Sequence, residues 1–504
     1  MVIHILFTLL FIVGISLRFI RTIDIGAGGD DAAFYLQMAY DWLQGNKELS
    51  EHFRPFIYWL NAKIMGLTGP NDWILRVANA IWDSFTATLL VYNGWILRRN
   101  WLLGLCFAVS YLFLLEPLTI ARSGLVHAPS TFFLMASFTS LLLWLSHKKT
   151  GLLFLSGLFM GMSWLIHPDL AVLGASVTLV ILYKNLKHQD ITANNFWSIS
   201  LKEFLLFVFG YFFMFFIFVW DIGFADLFNN FLLNFKTQNK SLQHGLIWRF
   251  YHFSSTYLLA NLGVGVLSLS GIATVLLLLK AAKKRFSSQD LALLIFPLGF
   301  LFFCALLFSQ NVITRLLLPL VPIIMMFVLL QFHDHFREKK WQPLVAPILC
   351  ALVIIFNMES FRYPFNEPIS IYKEINSHFQ KFLKKDSTLL ITPLSILHIH
   401  APLGNNMYLN GRGKYLVSTQ YSSLEETVKK ESITHVWIAD ILHDNRVFGH
   451  NLKFTYEERL KTLYGLKPSE YTVEKEKKMI KDFLVAKKWL LINKSEIGEL
   501  YELK

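Results

Sequence analysis

Long apolar blocks separated by short polar joints fill the chain through Met358. Each approaches the ~20 residues that a helix needs to cross ~30 Å of hydrocarbon. They run Val2–Ile20, Trp73–Leu97, Trp101–Ile120, Ser130–Ser146, Gly151–Ile166, Leu170–Tyr183, Phe204–Trp220, Ser254–Leu279, Leu291–Phe308, Val312–Phe332 and Pro343–Met358, which predicts about eleven spans. The fifth and sixth are short and flank His167-Pro168-Asp169, so a re-entrant pair is an alternative there. The first block is about as long as a spanning helix, and no small-residue cleavage site follows it. It reads as an uncleaved first span rather than a signal peptide.

Two joints are long. In the first, residues 21–72, Asp31, Tyr35, Met38 and Trp42 share one helical face, which suits a helix in the membrane interface with aromatics at headgroup level. Pro55–Leu67 has similar aromatic character. The second joint, Asp221–Phe253, is rich in Asn, Phe and Gln and reads as a lid or another interfacial helix. After Met358 the period changes. Strand-like runs at Thr388–Thr392, Met407–Asn410, Tyr415–Ser418 and His435–Ala439 alternate with helical patterns at Ser423–Glu431, Phe454–Leu463 and Val473–Ala486. Trp489–Asn493 and Glu499–Leu503 close the chain as a hairpin. Such alternation predicts a small α/β domain over 359–504, following a membrane domain over 1–358.

Composition agrees: 54% of the 504 residues are apolar and only 16% charged, against roughly a quarter charged in soluble domains. The net charge of +12 does not imply a nucleic-acid partner, because the basic residues collect in short joints. Arg98-Arg99, Lys148-Lys149, Lys184 with Lys187, Lys280 with Lys283-Lys284-Arg285, and Arg337 with Lys339-Lys340 all follow even-numbered spans. Short basic loops face the cytoplasm, so the N-terminus is expected inside, and the 21–72 joint and the C-terminal domain outside. A bacterial inner (plasma) membrane fits this plan. Arg18 and Arg21 break the charge rule and call for partners at the outer face. Cys106, Cys304 and Cys350 lie in apolar blocks without metal-ligand spacing and read as small buried hydrophobes.

The candidate chemistry lies on the expected outer side. Asp30 and Asp31 stand where the chain leaves the first span, and carboxylates at that depth are costly without partners or work to do. They fit a general base, a metal ligand, or a counter-ion to Arg18, Arg21 or Arg54; an exposed helix start, favoured by the macrodipole, is an equal alternative. Arg122 and Arg315 lie near outer span ends, where a phosphate or carboxylate partner or snorkelling to headgroups satisfies an arginine. His127 and His167, with Asp169, lie at the same level, but no HxxxH-like pair marks a metal site. No cofactor follows from the sequence, and a divalent metal stays open.

In order, GGDDAAFYLQMAYDWLQG, FRPFIYWLNAKIMGLTG and WILRVANAIWDSFTATLLVY follow the first span. This arrangement resembles the GT-C superfamily of polyprenyl-phosphate-sugar-dependent glycosyltransferases, nearest its family 39 branch of protein O-mannosyltransferases and aminoarabinose transferases. The matching features are the acidic pair with Tyr35, Ala39 and Gly45, then Arg54-Pro55, Tyr58-Trp59, and Arg76 opening the second span. NVITRLLLPLVPIIMMF resembles the family's late RY-x-x-P-x-x-P span, with Leu316 at the usual Tyr position. His127 stands where the family usually has an acidic residue, and no WWD-type motif marks an oligosaccharyltransferase. The resemblance implies Asp30 as base beside Asp31. It also implies Arg54 and Arg315 on the lipid phosphate; Tyr35 and Tyr58 from the matching segments, and Arg122, His127 and His167 from their level at the outer face, are expected to bind substrate beside them. Donor and acceptor would be a polyprenyl-phosphate-linked sugar and an extracytoplasmic glycan, lipid or protein. The alternatives are a transporter or flippase for a lipid-linked saccharide, though no inverted repeat is evident, and an inactive relative that organises the envelope.

Overall fold

The computed structural model describes residues 1–26, 30–45, 54–167, 170, 173–187, 193–223, 247, 250–251, 258–307, 314–367, 369, 373, 381–384, 387–392, 414–416, 424–430, 432–439, 473–495 and 498–503. In the first part the described elements are helices. Its helices are α1 (Val2–Phe19), α2 (Thr22–Ile25), α3 (Asp30–Leu43), α4 (Pro55–Thr68), α5 (Ile74–Arg98), α6 (Trp101–Leu112), α7 (Leu115–Ser123) and α8 (His127–His147). They continue as α9 (Gly151–Ile166), α10 (Leu173–Lys187), α11 (Ala193–Ile222), α12 (Leu258–Ala282) and α13 (Ser288–Leu307). A 3-10 segment, Thr314–Leu320, leads into α14 (Val321–His335), α15 (Gln342–Phe356) and α16 (Glu359–Asn366).

Among the described residues six helices are long and apolar enough to cross a membrane, or up to eight if each of two bent pairs is one span. The bent pairs are α6 with α7, at 66°, and α15 with α16, at 45°. Shorter apolar helices, α9 and Ser288–Phe302 within α13, lie beside them. The α6–α7 bend has a local cause, since Pro117 cannot donate back to the Phe113 carbonyl. Sequence reading ran Trp101–Ile120 straight through this break.

Glycines set the closest helix contacts. A Cβ on Gly157 or Gly161 of α9 would lie 2.0 or 2.2 Å from a backbone oxygen of α11, and one on Gly210 of α11 would lie 2.2 Å from the Phe154 oxygen. Two backbones in contact are a favoured way to pack helices where no hydrophobic force distinguishes side chain from lipid. Accordingly α9 packs between α8 and α11, while α10 packs on α13 and α11. The two flanks of His167 are thus separate helices, α9 and α10.

The aromatic face expected on α3 is present, but it packs inward: Tyr35, Met38 and Trp42 are buried, and α4 covers them. The α4 face supplies Phe56, Ile57 and Tyr58, all buried. The Asp221–Phe253 joint falls largely outside the described residues.

The C-terminal part carries β1 (Thr388–Thr392), β2 (Lys414–Leu416), α17 (Leu424–Lys430), β3 (His435–Ala439), α18 (Val473–Ala486), β4 (Leu490–Ser495) and β5 (Gly498–Glu502). They make a five-stranded sheet in the order β2-β1-β3-β5-β4. The β1 strand is parallel to β2 and β3, whereas β5 is antiparallel to β3 and β4. Period-two alternation divides its faces. Leu390, Val436, Ile438 and Tyr501 pack with Ile480 and Leu484 of α18, while Leu389, Trp437 and Leu500 join the larger apolar core. The expected strand Met407–Asn410 and helix Phe454–Leu463 lie outside the described residues. The fold is therefore a polytopic helical membrane protein with a C-terminal α/β region.

Candidate functional site

The site begins where α3 begins. Asp30 and Asp31 occupy its first turn, and their side chains lie outside the described residues. One residue on, Ala32 is fully buried. A Cβ on Gly124 would stand 3.3 Å from its Cβ and 3.2 Å from that of Leu75, so the C-terminus of α7 touches the first turn of α3. Gly124 takes φ +81° to end α7, a conformation that glycine adopts without steric cost.

Arg54 caps α4, with Pro55 in the first helical position, where its missing N–H is no loss. The Arg54 Nη1 donates to the Ile166 carbonyl at 2.8 Å. Its guanidinium carbon stands 5.5 Å from the Tyr35 ring centre, within cation–π reach. Its Nε is buried and has no hydrogen-bond partner among the described residues. The Tyr35 ring lies 6.4 Å from that of Tyr58, which meets Trp42 edge-on at 6.1 Å. Ile166 ends α9, so the next residue, His167, is carried to the same place. Its imidazole lies 5.1 Å from that of His127, the first residue of α8, and both rings are buried.

Tyr35, Arg54, Tyr58, His127 and His167 are thereby brought together from α3, α4, α8 and the end of α9. A guanidinium over an aromatic ring, with one donor unpartnered among the described residues, suits an anion that also offers apolar surface. The two imidazoles supply two nitrogen ligands at most, and no group of three or more His, Cys, Asp or Glu is placed to hold a metal ion among the described residues.

Arg122, in the last turn of α7, has partners within the fold. Its Nε meets Glu367 at 2.8 Å, and its Nη atoms donate to the carbonyls of Leu17 and Ile20. Arg315 falls in the 3-10 segment, with its side chain outside the described residues. The outer arginines that broke the charge rule also find partners. Arg18 pairs with Asp83 at 2.7 Å, and Arg21 donates to the Phe365 carbonyl at 2.5 Å. Sequence reasoning missed Asp83, although a carboxylate inside a spanning block demands a partner. It also missed Glu367, which no local pattern sets apart from other polar residues after the last span.

No protein-family model and no curated protein matches the chain in sequence. Solved structures do match in shape. ArnT from Cupriavidus metallidurans bound to undecaprenyl phosphate superposes with a TM-score of 0.58 at 11% identity, over 99% of this chain and 98% of that one. The Archaeoglobus fulgidus oligosaccharyltransferase, in complex with Zn and sulfate, gives 0.51 at 10% identity over 86% and 68%. The fold is GT-C-like. The same archaeal enzyme with an inhibitory peptide and a dolichol-phosphate gives 0.51 at 11% identity, over 86% of this chain and 69% of that one. At these identities the likeness speaks for the fold, and the chemistry rests on the residues above.

Proposed function

We propose that the protein is an integral-membrane glycosyltransferase that moves one sugar from a polyprenyl-phosphate carrier to an acceptor hydroxyl or amine outside the cytoplasm. The observation that carries this reading is the end-to-end likeness to ArnT, a protein solved with undecaprenyl phosphate. In the same fold, Arg54 offers a buried donor without a partner among the described residues, on a guanidinium 5.5 Å from the ring of Tyr35 in the helix that Asp30 opens.

The chemistry needs two things. A carboxylate must take the proton of the incoming hydroxyl or amine, and Asp30, with Asp31 beside it, is assigned that role. Cations must hold the charge that grows on the departing phosphate, and Arg54 with Arg315 is assigned that one. The acceptor oxygen or nitrogen bonds to the anomeric carbon as the carbon–oxygen bond to phosphate breaks. Polyprenyl phosphate leaves with the electron pair. Tyr35 and Tyr58 give the carrier an aromatic wall, and His127 and His167 face the acceptor or one divalent ion. Residues 1–358 form the catalytic domain, 359–504 a domain outside the cytoplasm, and the basic joints hold the opposite face to the bacterial inner membrane.

The test is transfer by the purified protein from a labelled polyprenyl-phosphate sugar, compared with Asp30→Ala and Asp31→Ala. Loss of the base is expected to slow transfer by roughly 10²–10⁴-fold. Full activity in both variants, or no transfer by the wild type, overturns the proposal.

A further inference from the structure

The chain that delivers the acidic pair runs from the end of α1 through α2 to Gly26, four residues before Asp30. Side chains from distant parts of the molecule hold its carbonyls in turn. Arg122 Nη1 donates to the carbonyls of Leu17 at 2.6 Å and Arg18 at 3.2 Å, and its Nη2 to Ile20 at 2.7 Å. Lys373 Nζ donates to the Ile23 carbonyl at 3.0 Å, and Arg76 Nε donates to the Gly26 carbonyl. Gly26 takes φ +82°, and a Cβ there would lie 2.7 Å from Asp72 Oδ2 and 3.1 Å from Lys373 Cβ, so the strap is closely enclosed as well as bonded.

Two of these holders share one anion. Glu367 Oε1 receives Arg76 Nη1 at 2.7 Å, and its Oε2 receives Arg122 Nε at 2.8 Å, with the carboxylate buried. Burial alone pushes this carboxyl up, but the Arg76 and Arg122 guanidiniums outweigh it and hold it below the usual range. Glu367 follows α16 directly, on the segment that leads from the last apolar helix to the C-terminal sheet. A guanidinium anchored by a carboxylate keeps its remaining N–H groups aimed in fixed directions. Here those directions are the carbonyls of the strap.

We propose that Glu367 is a positioning residue for the transfer reaction: it fixes Arg76 and Arg122, which fix residues 17–26, which set where Asp30 stands. The inference rests on the proposed glycosyltransferase reading. It gives the chain's C-terminal part a direct hold on the catalytic loop, through a residue that touches neither donor nor acceptor.

The experiment compares Glu367→Gln with Glu367→Asp and with Asp334→Asn. Asp334 anchors a different cluster, with Arg98 and Lys280, and serves as a control for the loss of a partly buried ion pair. Glu367→Gln is expected to lower kcat by about 100-fold, the cost of a small misplacement of a reacting group. The donor KM stays unchanged, and Glu367→Asp recovers part of the loss. Asp334→Asn lowers thermal stability and leaves kcat intact. Hydrogen exchange supplies a readout independent of turnover: amides of 17–26 and of the first turn of α3 exchange faster in Glu367→Gln than in wild type, while those of α9 and α11 do not. Unchanged exchange there, or a folded Glu367→Gln with wild-type kcat, overturns the proposal. A wild type that transfers nothing overturns the glycosyltransferase reading instead, and the exchange comparison then decides the positioning claim by itself.

Discussion

Replacing Asp83 with Asn removes the charge that faces Arg18 in the interior of the helical domain. Arg18 is wholly buried, and its Nε meets Asp83 Oδ2 at 2.7 Å. Its Nη1 donates to the carbonyls of Gly14 at 3.0 Å and Leu112 at 2.6 Å, and Tyr111 donates its hydroxyl to Asp83. The group therefore ties α1, α5 and α6 together just below the strap that carries the acidic pair. At 2.7 Å and an effective dielectric of about 20, the attraction is roughly 6 kcal/mol, and desolvating each ion costs several kcal/mol in return. The intact pair is thus worth little net, whereas stripping one member leaves a buried charge uncompensated, at about 3–5 kcal/mol. Asp83→Asn and Arg18→Met should each lose about that much in reversible unfolding in mixed micelles, and the double variant should lose less than either single. Single costs that add in the double variant would show that the two side chains do not compensate one another, and the reasoning would fail.

Arg54→Ala should raise the KM for the lipid-linked donor by roughly tenfold to a hundredfold, the loss of a charge-assisted hydrogen bond of about 1.5–3 kcal/mol, with Arg54→Lys recovering only part because a point charge lacks the planar fork; steady-state kinetics over donor concentration read both. Gly161→Ala puts a methyl 2.2 Å from the Tyr211 carbonyl oxygen, so α9 and α11 must part. The thermal midpoint should fall by an amount corresponding to about 1–3 kcal/mol of overpacking. In the C-terminal sheet, burial pushes the Glu499 carboxyl up, but Lys481, Tyr501 and Lys494 outweigh it and hold it down at about 2. A depressed carboxylate stabilises the fold above its unfolded pKa and loses that contribution as pH falls. Amide protection in β5 should therefore weaken from about pH 4.5 downward toward 2, and Glu499→Gln should abolish that dependence.

Apolar period and turn chemistry carried much of the architecture. The first span was read as Val2–Ile20 and is helical over Val2–Phe19, and β1, β3 and α18 fall on the residues that alternation and helical period marked. These patterns are local, so a sequence displays them directly. The bend after Leu112 was also legible, in Pro117, but the unbroken apolar run around it hid the signal. At the site, Tyr35, Arg54 and Tyr58 were named from motif order, and His127 and His167 from their level at the outer face; in the structure Arg54 meets the Tyr35 ring and the carbonyl next to His167, whose ring lies by that of His127. What a sequence does not display is pairing across the fold. Arg18 and Asp83 are 65 residues apart, and Arg122 and Glu367 are 245 apart. Arg122 therefore read as an anion holder for substrate, where the fold gives it an anion from the chain itself.

The central claim is that a sugar changes covalent partner at this site, and proteoliposomes loaded with a doubly labelled donor, one label in the sugar and one in the lipid, test it most directly. The account predicts that the sugar label appears on an added acceptor while the lipid label stays behind as polyprenyl phosphate, and that Asp30→Ala stops this separation. Both labels crossing the bilayer together, with the donor intact, would contradict it.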